Sequence, residues 1–212
     1  MTASTDWHEW HLPYGDHTSP LSRRLRLVQQ HISDWLDERP ETTLRAVSVC
    51  AGQGHDLIGV LAQRPDATRV RAWLIEYEPR NVAAARARIA SAGLDGITAV
   101  QADAGDFAAY HDAVPADLVL LAGVLGNISD ADVRATVNAM PKLCAPRATV
   151  IWTRTRRTPD LTPAVRGWFA DAGFTEQAFH APPDVLFSVG VHQLHAQPQL
   201  PPPSGRIFTF AA

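Results

Sequence analysis

The sequence predicts an α/β fold: a doubly wound, seven-stranded sheet, mostly parallel and closed by an antiparallel C-terminal hairpin, with helices on both faces. Three observations predict it. The apolar run Ala46-Val47-Ser48-Val49-Cys50-Ala51 breaks into Gly52-Gln53-Gly54, and a second apolar run ends in the carboxylate of Glu76 about 20 residues on, the pairing with which α/β folds build nucleotide pockets. Apolar runs and helix-forming segments then alternate through the middle of the chain. After Gly173 the alternation stops, and two apolar runs follow with a link too short for a full helix.

Each element has its own signal. Ser19-Pro20 reads as a helix start, a capping side chain with proline at the first position, and Leu21, Leu25, Val28, Ile32, Trp35 and Leu36 recur at helical spacing as one apolar stripe. This helix leads into the first strand. A helix through Leu57, Ile58 and Leu61 follows the glycine turn, and an alanine-rich one from Asn81 to Ala92 follows the second strand. The third run, Gly96 to Gln101, ends in Ala102-Asp103-Ala104, and the fourth, Asp117 to Leu121, runs into Ala122-Gly123-Val124-Leu125-Gly126-Asn127. Ser129 to Cys144 and Thr162-Pro163 to Ala172 read as the later helices, the second closed by Gly173. Arg154-Thr155-Arg156-Arg157 is expected in a loop after the fifth strand, either solvated or binding an acidic group. Phe174 to Phe179 and Phe187 to Leu194, joined by Ala181-Pro182-Pro183-Asp184, form the edge hairpin.

The strand ends carry the chemistry. Small and polar residues at four successive strand ends line the edge of the sheet where open α/β folds bind ligands. Gly52 and Gly54 let the backbone turn sharply and approach a ligand with no Cβ in the way, although a G-x-G turn also serves close packing. Glu76 can accept hydrogen bonds from both hydroxyls of a ribose.

At these motifs the chain resembles the class I S-adenosylmethionine-dependent methyltransferases, over Ser19 to Ala196. The resemblance implies a Rossmann-like sheet, S-adenosylmethionine as cofactor and S-adenosylhomocysteine as product. It places Cys50, Ala51, Gly52, Gly54 and Asp56, within Val47 to Asp56, around the methionine part. Glu76 becomes the ribose acid, Asp103 the acid that meets the adenine amine, and Asp117 to Gly126 the strand and loop facing the methyl group. Tyr77, Ala104 and Gly123, beside these motifs, complete the expected cofactor-binding set. Two departures stand out: Ser48 occupies a position where an acid is usual, and Cys50 one where the first glycine is usual. Ser48 can hydrogen-bond the turn but cannot orient the cofactor's ammonium by charge.

The same resemblance divides the chain into an N-terminal lid or arm (1–18), a cofactor-binding methyltransferase domain (19–196) and a proline-rich tail (197–212). The arm holds Trp7, Trp10, His11, Tyr14 and His17, rings that either close the site and stack on a flat substrate or simply tie the arm down. The tail ends in Arg206-Ile207-Phe208-Thr209-Phe210, too short to fold alone. It is either disordered or docked on this chain or a partner chain, which leaves a homodimer open.

Composition excludes other classes. A chain of 212 residues, 46% hydrophobic and without repeats, suits one domain with a substantial core. A net charge of -3 argues against a nucleic-acid partner, whose phosphates call for Lys and Arg. No run approaches the roughly 18 apolar residues of a membrane span and Met1 to Asp6 lacks a signal-peptide core, so a cytoplasmic protein with no membrane partner is expected. Cys50 and Cys144 cannot make a disulfide framework or zinc cage, and Cys50 reads as a small apolar residue rather than a nucleophile. No His and carboxylate cluster has ligand spacing, so metal independence is expected.

The expected reaction moves the methyl group to an oxygen or nitrogen, with carbon as the remaining choice, of a small-molecule acceptor. Alignment of such a reaction is worth about 7–11 kcal/mol, and no elaborate triad is required. His11 and His17 are the candidate general bases, Tyr14 an orienting group, and Asn127 the residue nearest the transferred methyl. His180 and His192 rank behind them as bases, His192 with a hydrogen-bonded structural role in an edge strand as its alternative, and His55 is expected to face the cofactor's carboxylate end or solvent. Two other classes stay open: a non-catalytic S-adenosylmethionine-binding interaction domain, and a NAD(P)-dependent oxidoreductase, whose fingerprint wants a third glycine where Leu57 stands.

Overall fold

In the computed structural model, Asp6, Trp7 and residues 13–210 are described. Ser19 opens the first helix as expected, its hydroxyl accepting from Ser22 N at 3.1 Å, and Pro20 takes the first position of α1 (Pro20–Asp37). Val28, Ile32, Trp35 and Leu36 are buried along one stripe of this helix. The strands are β1 (Leu44–Val49), β2 (Val70–Glu76), β3 (Ile97–Gln101), β4 (Ala116–Leu121), β5 (Cys144–Thr155), β6 (Phe174–His180) and β7 (Phe187–Leu194). They form one sheet in the order β3-β2-β1-β4-β5-β7-β6. All pairs from β3 across to β5 are parallel, and β7 runs antiparallel to both β5 and β6. The predicted edge hairpin is thus present, with β7 inserted beside β5 and β6 outermost.

Alternation along the central strands divides the core in two. Val47 and Val49 of β1 face a cluster containing Val133 and Val137 of α4 (Asp130–Ala139) and Val165 and Phe169 of α5 (Thr162–Asp171). Leu44 and Ala46 face the other cluster, with α1, α2 (Leu57–Leu61) and α3 (Pro79–Ser91). Helices therefore cover both faces, and the strand order reverses between β1 and β4, where such sheets open a crevice at their carboxyl ends.

Three details differ from expectation. Glu78 caps Arg80 N and Pro79 takes the first position, so α3 starts two residues before Asn81. The helix expected to reach Cys144 ends at Ala139: Pro141 has no N–H to continue it, a 3-10 turn follows at Met140–Lys142, and Cys144 already pairs with Ala116. Arg154 and Thr155 lie inside β5, paired with Ser188 and Phe187, because the hairpin extends the sheet beside them. Arg154 is only 12% exposed and donates to Leu125 O and to Asp130 at 3.2 Å, while Arg156 donates to Pro182 O and Val185 O across the hairpin turn. These arginines are structural ties rather than a solvated loop.

The tail lies on its own chain. Arg206 bridges to Asp106 and Phe210 to Ile128, and Ile207 and Phe208 are buried in the core beside α4. Among the described residues, no helix is long and apolar enough to cross a membrane.

Candidate functional site

A cavity of about 690 Å³ opens at the carboxyl ends of β1, β2, β3 and β4. Its floor is the turn after β1. Cys50, Gly52 and Gly54 take φ angles of 49°, 56° and 70°, the left-handed region that glycine enters without steric cost and cysteine does not. Ala51 N donates to Ile75 O and Gly54 N to Ala51 O, each at 3.0 Å, so the turn is pinned to the end of β2. Gly52 is on the cavity wall, whereas Gly54 is not: a Cβ there would stand 2.5 Å from Ile58 Cδ1 and 2.7 Å from Leu74 Cδ2. Gly54, expected among the cofactor ligands, is a packing glycine beneath the turn. Burial pushes the Cys50 thiol far above its usual range, with Glu76 and Asp103 adding to the effect, so it stays protonated.

Glu76 ends β2 and is 8% exposed on the wall. Its Oε2 accepts from Gly52 N and its Oε1 from Glu78 N, both at 2.8 Å. Burial raises its pKa, and the two N–H bonds only partly offset that cost. Next to it Tyr77 is 74% exposed and also reaches the cavity. Asp56 caps α2 through Leu57 N at 2.7 Å. Burial raises the pKa of Asp56 too, with the charge of Arg24 opposing. Arg24, Leu25 and Val28 bring α1 to the same wall, and Arg24 Nη2 donates to Tyr14 Oη at 3.4 Å. The Tyr14 ring lies 4.6 Å from that of His55, whose carbonyl is held by Gln29.

Beyond β3, Asp103 Oδ1 accepts from Gly105 N at 2.8 Å and Oδ2 from Arg206 at 2.6 Å. Burial pushes this carboxyl up, but Arg206 and the Gly105 N–H outweigh it and hold the pKa below the usual range. Past β4, Gly123 N donates to Thr153 Oγ1 at 2.9 Å, and Asn127 Nδ2 donates to Gly123 O at 2.6 Å, which fixes the Asn127 side chain against the wall. The two ends of the chain meet at the mouth. Asp6 pairs with Arg80 at 2.9 Å, and the rings of Trp7 and Phe210 meet edge to face at 5.0 Å.

The cavity therefore collects Cys50, Ala51, Gly52, Asp56, Glu76, Tyr77, Asp103, Ala104 and Gly123 of the expected cofactor set, with Tyr14 and Asn127 of the catalytic set. His17 is not brought there: it is exposed in the turn ahead of α1, its carbonyl accepting from Arg26 at 2.8 Å. His11 lies outside the described residues. Among described histidines His55 is the one on the wall, while His180 pairs with His31 and His192 accepts from Trp152. Sequence reasoning missed the tail residues Arg206, Phe208, Thr209 and Phe210, and Arg24 of α1. The tail's signal was its apolar end after a proline spacer, and Arg24's was its place on the polar side of an otherwise apolar stripe.

Residues 47–150 match the family model of a methyltransferase domain. Among solved structures, an O-methyltransferase family protein from Burkholderia thailandensis is 19% identical with a TM-score of 0.61, over 84% of this chain and 59% of that one. Magnesium protoporphyrin IX methyltransferase from Synechocystis PCC 6803, solved with its cofactor S-adenosylmethionine, is 13% identical with a TM-score of 0.67, over 92% of this chain and all of that one. The chain thus spans about three-fifths of the Burkholderia protein's length. No curated protein matches it in sequence. By domain match and fold, the chain is similar to the class I S-adenosylmethionine-dependent methyltransferases.

Proposed function

We propose that this protein binds S-adenosylmethionine along the strand-end cavity and transfers its methyl group to an oxygen or nitrogen of a small-molecule acceptor. The observation that carries the reading is that one cavity gathers Gly52, Glu76, Asp103 and Asn127 from four consecutive strand ends. Its volume falls within the roughly 300–1,000 Å³ of small-ligand sites. In this reading Glu76 takes the ribose hydroxyls, replacing the contacts it makes with backbone N–H groups, and Asp103 takes the adenine amine. Arg24 and Asp56 lie on the wall where the glycine turn receives the amino-acid end, and their opposite charges suit its carboxylate and ammonium. Asp56 thereby offsets the acid missing at Ser48.

The bound sulfonium supplies an already activated methyl group. The protein's own work is to orient and to exclude water. Asn127, locked by Gly123 O, borders the space past β4, and Tyr14 closes the opposite side against His55. The Trp7 and Phe210 rings cover the mouth, which suits a flat acceptor. His11 remains the proposed base for a hydroxyl acceptor.

Titration calorimetry with S-adenosylmethionine, S-adenosylhomocysteine and NAD tests the cofactor, with micromolar-range binding expected for the first two and none for NAD. Single-turnover assays with radiolabelled methyl donor against hydroxylated and aminated metabolites then test transfer. Binding of NAD, or of neither methionine-derived ligand, would overturn the reading.

A further inference from the structure

We propose that the C-terminal tail is a built part of the cofactor site, with Arg206 as the positioning residue that holds Asp103 for the nucleobase. The inference rests on the reading above, in which Asp103 meets the adenine amine. Asp103 is half exposed at the cavity rim, where an unrestrained carboxylate samples several rotamers. Two donors fix it here, Gly105 N on Oδ1 and Arg206 Nη1 on Oδ2. Each carboxylate oxygen has two acceptor positions, so both still accept after these bonds form.

The tail is seated rather than draped. Ile207 N donates to Gly105 O at 2.7 Å, Phe107 N donates to Gly205 O at 2.9 Å, and Ile207 and Phe208 are 4% and 2% exposed. Gly105 supplies an independent sign that the seat is specific. A Cβ on Gly105 would overlap the Phe208 carbonyl and stand 2.8 Å from Arg206 Nη1, so the tail fits only over a residue with no side chain. A half-exposed ion pair contributes little to stability, so the effect of Arg206 falls on the geometry of Asp103.

The test uses the full chain, with S-adenosylhomocysteine as the probe in titration calorimetry and melting temperature as the fold control. Arg206→Met is expected to weaken binding about threefold to tenfold at nearly unchanged melting temperature, and Arg206→Lys to recover part of the loss. Gly105→Ala, which unseats the tail and crowds the Arg206 guanidinium while keeping Arg206 itself, is expected to weaken binding at least as much. In an Asp103→Ala background Arg206→Met should add less than about a twofold change, because its target is gone. The proposal is overturned if Arg206→Met or Gly105→Ala binds within twofold of the parent, if Arg206→Met binds more tightly, or if its loss persists in full without Asp103. A parent protein that does not bind S-adenosylhomocysteine would instead sink the cofactor reading itself.

Discussion

At the scale of single residues, the turn after β1 separates a ligand-facing role from a packing role. Glu76 is buried at a cost, since burial raises its pKa despite two backbone donors, which is a poor use of a carboxylate for stability alone. Glu76→Ala is therefore expected to leave the domain folded, with cavity water reaching the freed Gly52 and Glu78 N–H groups. Cofactor affinity should fall about ten- to a hundredfold, the loss of two ribose bonds partly made good by water, as read by calorimetry with S-adenosylhomocysteine. An unchanged affinity would remove Glu76 from the site. Gly54→Ala should do the reverse. Its φ of 70° and the overlap with Ile58 and Leu74 predict a loss of about 2–4 kcal/mol in urea unfolding, through strain and overpacking. Gly52 and Gly54 belong to one legible motif, yet their roles diverge because Gly52 faces the cavity and Gly54 the core, which spacing alone does not encode. Cys50 shows the same limit: its sequence position implied a glycine, and the chain tolerates a thiol at a φ of 49° because the side chain packs against the core.

At the scale of elements, what was legible was whatever local chemistry decides. The Ser19-Pro20 start, the Gly173 stop and the two runs of the hairpin all fell within a residue or two, because caps, prolines and alternation act over a few positions. What was not legible depended on a neighbour far along the chain. Arg154 reads as a loop residue until β7 pairs with it, and the tail reads equally as disordered, docked on this chain or docked on a partner until Gly105 offers a seat. Helix α1 makes the point for function. Its apolar stripe was plain, but the placing of Arg24 on the cavity wall follows from how α1 packs over the glycine turn. If Arg24 receives the cofactor's carboxylate, Arg24→Gln should weaken S-adenosylhomocysteine by about ten- to a hundredfold. It should leave 5′-methylthioadenosine, which lacks the amino-acid part, within about twofold. Equal losses for the two ligands in calorimetry would show Arg24 to be supporting the wall instead.

At the scale of the whole molecule, stability against acid depends on a buried network behind the site. Trp152 Nε1 of β5 donates to His192 Nδ1 of β7 at 3.1 Å, and the other ring nitrogen faces Glu176 of β6, which Arg166 of α5 grips with two bonds at 2.6 and 2.7 Å. Four elements are tied through one imidazole that burial keeps neutral, its pKa pushed down to about 4 with Glu176 only partly opposing. An unfolded histidine titrates near pH 6.5. Below that value the unfolded chain binds a proton that the folded chain refuses, so stability is full above about pH 6.5 and declines as pH falls toward 4. The loss from this residue amounts to about 3 kcal/mol across that window. His31, lowered by burial and by its contact with His180, loses stability in the same direction, whereas Glu176, lowered mainly by Arg166, adds its loss only at more acidic pH. Urea midpoints at pH 7 and pH 5 should therefore differ clearly in the parent. In His192→Asn the difference should shrink by the His192 share, leaving the loss that His31 supplies less what the raised Glu76 and Asp56 carboxyls give back as they take up protons in the folded chain, whatever the variant's stability at pH 7. A variant with the parent's full slope from pH 7 to 5 would mean that His192 takes up its proton as readily in the folded chain as in the unfolded one.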